Sequence, residues 1–421
     1  LRFAYGTEEL TVTWPYADPV VLSYRTPVAE GADADALLRQ ALRSPIDSPS
    51  LPELAAGRRD AVILVSDVTR LSPTASFLAQ LLDALNEGGI PDERVRVVVA
   101  LGTHRAQTAD ELRGIAGESA FRRVLVENHS AASEDCLFVG TTSLGTPIEL
   151  NRKVAEADLR IATGNIEPHR LVGLSGGCKA LFPGVASAAS IERHHGLSHR
   201  YRAVPGFADN PLHRDIEEAC AMVPIHFLYN VVADHRRRAL AAFAGHPTEA
   251  HRRGASFARD QFLVSNERKY DVVVASAGGY PKDMQLYQAI KSLENAAAFA
   301  KPGGSILLIA RCQELYGNGT FLEWAETRID RERAVRELEE RFVLGAHKLH
   351  ILHQVLQKHR VFLYSDVPRP LAELLGFRTV SDLQLWIDEA ARRGASMAAM
   401  PCASLTFPDL SVRDNEMGFQ V

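Results

Sequence analysis

From Arg59 to about Val264 the chain alternates two hydrophobic patterns. Uninterrupted apolar runs, DAVILVSD (60–67), VRVVVALG (95–102), RVLVEN (123–128), LRIATG (159–164) and PIHFLYNVVAD (224–234), read as strands buried on both faces. Between them, FLAQLLDALNEGG (77–89) and DELRGIAG (110–117) carry apolar residues at helical spacing and end on glycine. AFAGHPTEAHRRGASFARDQF (242–262) reads as a further helix. The rhythm restarts at Tyr270, where YDVVVASAGG predicts a strand, the stretch from Leu286 a helix, and SILLIARC the next strand. Strands separated by helices predict an α/β fold with mostly parallel sheets. Two α/β domains are expected, residues 1–265 and 266–421, with an active-site cleft between them. YGTEELTVTW (5–14) alternates like a half-buried strand, ADADALLRQALRS (32–44) predicts a helix, and EWAETRIDRERAVRELEERF (323–342) predicts one helix with a solvated face.

In open α/β sheets, ligands bind at the carboxyl ends of strands. The loops there carry Asp67, Thr69 and Arg70, then Thr103, His104 and Arg105, then His129, then His169. His169 opens the segment IEPHRLVGLSGGCKALFPG (166–184), which is followed by RHHG (193–196). The glycines allow a close backbone approach to a ligand, and Lys179 is expected in the first turn of a helix whose N–H groups face an anion. Ala180 after the lysine rules out a P-loop, and GLSGGC does not fit the dinucleotide fingerprint. His104, His169 and His195 suit metal ligation or proton transfer near neutral pH, and one of the adjacent pair His194-His195 is expected to be the ligand. In the second domain Gln288 and Lys291, three residues apart, share a helical face and suit a substrate carboxylate.

Composition narrows the classes. The 421 residues are 46% hydrophobic and 24% charged, with a net charge of −5, which argues against a nucleic-acid partner. The cluster Arg236-Arg237-Arg238 is expected to solvate a loop or helix face. Five scattered cysteines form no C-x-x-C pair and fit a reducing compartment. With no apolar stretch long enough to span a bilayer and no signal pattern at Leu1, a cytoplasmic protein without a membrane partner is expected.

As a set, SDVTRLSP, ALGTHR, IEPHRLVGLSGGCKALFPG, RHHG and GGYPKDMQLYQAIK resemble the nickel-dependent lactate racemase family, in the same order over most of the chain. The resemblance implies a racemase or epimerase of a 2-hydroxy acid, lactate or larger. It implies a nickel-pincer nucleotide (pyridinium-3-thioamide-5-thiocarboxylic acid mononucleotide) bound covalently to Lys179, with His195 on the nickel. His104 and His169 match the two acid/base histidines. Asp67 and Arg70 match a pair near cofactor and substrate, with Arg70 on the substrate; Thr69, Gly176 and Gly177 fall on the cofactor side. Gln288 and Lys291 match the pair that closes over the substrate. Residues 1–265 would then bind cofactor and catalyse, while 266–421 cover the substrate. Cofactor-synthesis proteins would be transient partners. Ser130 stands where many relatives carry an acidic residue, and Cys178 sits beside the anchor lysine. The segment Gly345–Gln354, with His347, Lys348, His350 and His353, leaves room for a substrate other than lactate. A cofactor carrier with little turnover and a hydrolase with histidine-bound zinc are the alternatives.

Overall fold

The run Ala61–Ser66 (β1) is buried at its first five residues, and Leu159–Asn165 (β4) and Phe227–Ala233 (β5) are buried throughout. Such strands alternate no polar face, so they must be covered on both sides. With Val95–Ala100 (β2), Leu125–Asn128 (β3) and Ala239–Gly245 (β6) they form a six-stranded sheet ordered β6-β5-β4-β1-β2-β3. Every pair is parallel except β5 with β6. Helix Leu78–Glu87 (α1) buries Leu78, Leu81, Leu82 and Leu85, the i, i+3, i+4, i+7 stripe. Helix Ala109–Ala116 (α2) starts at Thr108, whose capping box with Glu111 supplies the missing end partners. Residues 242–245 were expected to open a helix; they belong to the antiparallel edge strand Ala239–Gly245 instead, and the helix runs Pro247–Phe262.

The computed structural model describes residues 1–25, 34–328 and 330–410. The helix expected from Ala32 is described as Ala34–Arg43; its first two residues lie outside. By internal packing the chain divides into two units, Thr26–Gln261 and a unit of Leu1–Arg25 with Phe262–Val421. The opening residues therefore group with the C-terminal part, whereas they were expected in the first domain. The cause is burial: Phe3, Tyr5 and Val12 share a core with Val272, Val274 and Leu307, and the Leu22 N–H donates to the Ala399 carbonyl at 2.8 Å.

The second unit has a parallel sheet of Tyr270–Ser276 (β7), Ala300–Ile309 (β8), Arg360–Tyr364 (β9), Arg378–Thr379 (β10) and Met397–Met400 (β11), ordered β10-β9-β8-β7-β11. The charged stretch 323–342 is two helices, Gly319–Thr327 and Arg331–Glu340, because Asp330 caps the second by accepting from the Arg333 N–H.

Candidate active site

The edge formed by the carboxyl ends of β1, β2, β4 and β5 collects most of the expected groups. After β1, Asp67 is almost fully buried and takes the Thr69 N–H at 2.7 Å on Oδ1. Its Oδ2 lies 3.0 Å from His104 Nδ1 and 3.9 Å from Arg70 Nε. Burial alone would raise the Asp67 pKa; the adjacent His104 and Arg70 charges and the Thr69 hydrogen bond outweigh it and hold the carboxyl well below its usual range. Asp67, Thr69, Arg70 and His104 thus form one hydrogen-bonded corner. The two loops are also stitched together. The Val68 N–H donates to Gln107 Oε1, while Gln107 and Asn128 at the end of β3 exchange backbone and amide bonds at 2.9 Å each.

After β4 the chain makes a two-residue hairpin, Pro168–His169 against Gly173–Leu174, and the Leu171 N–H donates to His169 Nδ1 at 3.3 Å. The loop that follows has positive φ at Gly173, Gly176 and Gly177. A Cβ at Gly176 would lie 2.6 Å from Asn230 Oδ1, and one at Gly177 would lie 2.9 Å from the His251 ring, so only glycine fits both. Asn230, a polar residue inside β5, accepts the Gly177 N–H at 2.7 Å. Lys179 does not begin an α-helix as expected. Gly177–Ala180 is a 3-10 turn of four residues, too short for an anion-binding helix end; the glycine loop closes on its own polar partners instead.

Helix Ala188–Gly196 (α3) carries the histidine pair, and the neighbours differ. His194 is fully buried, edge-on to Phe182, with Nε2 donating to the Leu212 carbonyl at 3.0 Å. Burial, assisted by the Lys179 ammonium, lowers its pKa. His195 is partly exposed and donates Nδ1–H to Ile191, one turn back, at 2.9 Å, which puts its lone pair on Nε2. Beneath the glycine loop, His213 of helix Pro211–Met222 (α4) stacks on His251 of Pro247–Phe262 (α5) with centroids 5.5 Å apart. His251 donates to the Ser175 carbonyl and His213 to that of Val172; burial drives both pKa values down to about 4. His129 is also structural, held between the Ala186 carbonyl and Asn151.

In the second unit, Gln288 and Lys291 lie on helix Leu286–Ala297 (α6). Gln288 is buried and its Nε2 has no hydrogen-bond partner among the described residues. The loop from β7 into α6 is anchored by backbone bonds: the Tyr280 N–H donates to Gly6, and Asp283 Oδ2 takes the N–H groups of Gly6 and Arg311. From the 345–354 segment, Lys348 is buried and its Nζ stands 3.7 Å from Glu294 of α6.

Two family profiles account for most of the chain. "Lactate racemase N-terminal domain" matches residues 5–204 and "Lactate racemase C-terminal domain" matches 265–401. A lactate racemase from Thermoanaerobacterium thermosaccharolyticum is 32% identical over 82% of this chain and 81% of its own length. The chain belongs to the lactate racemase family. A second member, from Lactiplantibacillus plantarum, is 30% identical over 79% of this chain and 80% of its own. The solved lactate racemase apoprotein from T. thermosaccharolyticum superposes with a TM-score of 0.85 at 28% identity, covering 97% of this chain and 99% of that one. A Thermotoga maritima protein shares the fold at a TM-score of 0.66 and 19% identity, over 87% of this chain and 98% of that one.

Against the lactate racemase pattern, several groups at this edge escaped sequence reasoning. Asn230 had a signal, a lone polar residue in an apolar strand. Gln107, His213 and His251 had none, because their partners are backbone carbonyls and rings remote in sequence. Arg236-Arg237-Arg238 was expected to face solvent. Arg236 and Arg238 do so, Arg238 while pairing with buried Asp234 at 2.7 Å, whereas the partly buried Arg237 donates Nη2 to the Val68 carbonyl at 3.0 Å. Among the described residues no three His, Cys, Asp or Glu side chains converge as a metal site, and no helix is long and apolar enough to cross a membrane.

Proposed function

We propose that this chain inverts the α-carbon of a 2-hydroxy acid, lactate or a larger relative, through a 2-keto acid. The observation that carries the reading is the Asp67–His104 pair. With Nδ1–H donated to a buried carboxylate, His104 keeps its lone pair on Nε2, and the imidazolium formed on accepting a proton is stabilised in place. His104 takes the hydroxyl proton, and His169 serves the opposite face of the planar keto acid. Arg70 and Lys291 hold the carboxylate by charge-assisted hydrogen bonds, and Gln288 offers its buried Nε2, which has no partner among the described residues.

The residues present fit the nickel-pincer nucleotide. Lys179 would hold it covalently, and Gly176 and Gly177 leave backbone where a side chain would intrude. Thr69 lies on the cofactor side of the same edge. His195, oriented through Nδ1, would offer Nε2 to the metal. One imidazole suits nickel whose remaining donors belong to the organic ligand, whereas a zinc hydrolase needs three protein ligands that do not converge among the described residues. When bound, the cofactor supplies a hydride acceptor, which spares the substrate a carbanion beside its carboxylate. Protein produced with the cofactor-synthesis proteins, as transient partners, is expected to carry one nickel and an adduct mass on Lys179, and to racemise a pure enantiomer of lactate or of a larger 2-hydroxy acid. Lys179→Ala should lose adduct, nickel and activity together; full activity in that variant would overturn the proposal.

A further inference from the structure

We infer that Arg237 is a positioning residue for the Asp67–His104 pair, acting through the backbone of Val68. The inference rests on the reading of His104 as a base. The backbone of Val68 is held at both of its polar groups: its N–H donates to Gln107 Oε1 at 3.2 Å and its carbonyl accepts from Arg237 Nη2 at 3.0 Å. Gln107 belongs to the loop that bears His104. Arg237 comes from the other direction, from the turn between β5 and β6, two strands away from β1 in the sheet. The residue so held is the one that follows Asp67, whose carboxylate orients His104.

The turn that presents Arg237 is strained and built to stay so. Arg237 has φ +60°, a left-handed conformation that an arginine adopts only where its surroundings enforce it. Asp234, fully buried, enforces it: Oδ1 accepts the N–H groups of Arg236 and Arg238, and Oδ2 accepts Arg238 Nε. A turn needed only to reverse the chain would be served better by glycine at this position. Arginine there has a use that glycine lacks, the guanidinium on Val68.

Arg237→Gly separates the two roles, because it relieves the backbone strain and removes the guanidinium; Arg237→Lys retains a cationic donor. The first readout is amide exchange at Val68, Thr69 and Arg70 in the protein without cofactor. These three N–H groups are bonded to Gln107 Oε1, Asp67 Oδ1 and the Asp67 carbonyl. In Arg237→Gly they should exchange roughly tenfold faster, the loss of one charge-assisted hydrogen bond, while the thermal midpoint holds or rises. In the loaded enzyme kcat should fall about 10- to 100-fold with KM changed less than about threefold, since displaced catalytic groups lose rate before binding. Arg237→Lys should restore part of both. Unchanged exchange at the three amides in Arg237→Gly overturns the clamp whatever reaction the enzyme performs. Faster exchange with unchanged kcat overturns its role in positioning. A wild type that exchanges as expected but racemises nothing overturns the proposed function and, with it, the catalytic half of the inference.

Discussion

The strand-end edges of the two sheets are organised differently. At the first, side chains and backbone groups satisfy one another: Asp67 holds the Thr69 N–H and His104, Gln107 and Arg237 hold the backbone of Val68, and Asn230 holds the glycine loop. At the second, the Asp283 carboxylate fixes the loop into α6 through the Gly6 and Arg311 N–H groups, and Gln288 Nε2 is buried with no partner among the described residues. Mutually satisfied groups are preorganised, which is what proton transfer requires. A buried orphan donor carries a desolvation penalty of about 1–3 kcal/mol, which a bound acceptor relieves. Under the proposed function the contrast would be a division of labour, with proton transfer at the first edge and Gln288 binding substrate at the second.

The largest expected effects test the first half of that contrast. His104→Ala and His169→Ala should each lower kcat by roughly 10²- to 10⁴-fold, the range for a lost general acid or base, with KM much less affected. Steady-state kinetics on both enantiomers would check this, and a mainly KM effect at His104 would break the comparison. At the second edge the pattern should reverse. Gln288→Ala should raise KM about tenfold with a smaller change in kcat, as removal of uniform binding does. A kcat loss as large as that of His104→Ala would place Gln288 in the chemistry.

Both edges were legible in the sequence to different depths. Unbroken apolar runs give the strands, and the strand-end rule then gives Asp67, His104 and His169 without further information. What was not legible depends on contacts between distant residues. Nothing local distinguishes His194 from His195; only the packing of α3 against Phe182 and Leu212 buries one and leaves the other partly exposed. Nothing in HRRR shows that Asp234 would fold the turn back and send Arg237 to Val68. The opening strands read as part of the first domain because they precede it, while their apolar faces match the second sheet.

A smaller effect concerns the support beneath the first edge. His213 and His251 are buried neutral, with pKa values near 4 against about 6.5 when unfolded. Between those values the unfolded chain binds more protons, so stability rises with pH through this window and is fully present above about 6.5. Urea midpoints should therefore fall steeply from pH 6.5 to 4, and His251→Gln should flatten the slope. An unchanged slope would mean that the stacked pair is not what resists protonation there.

The smallest effect is expected at Asp283, and it probes the second half of the contrast most directly. Oδ2 receives the Gly6 and Arg311 N–H groups, while Oδ1 is buried without a partner among the described residues and burial raises the pKa of the carboxyl. If Asp283 serves only to hold these two N–H groups, the acceptor matters and the charge does not. Asp283→Asn keeps an oxygen for both N–H groups and removes a charge that burial disfavours, so stability should shift by less than about 1 kcal/mol, whereas Asp283→Ala orphans both donors and should destabilise by about 2–3 kcal/mol. KM should be unchanged in the asparagine variant. A rise as large as that of Gln288→Ala would show that the Asp283 charge takes part in binding and does more than hold the loop.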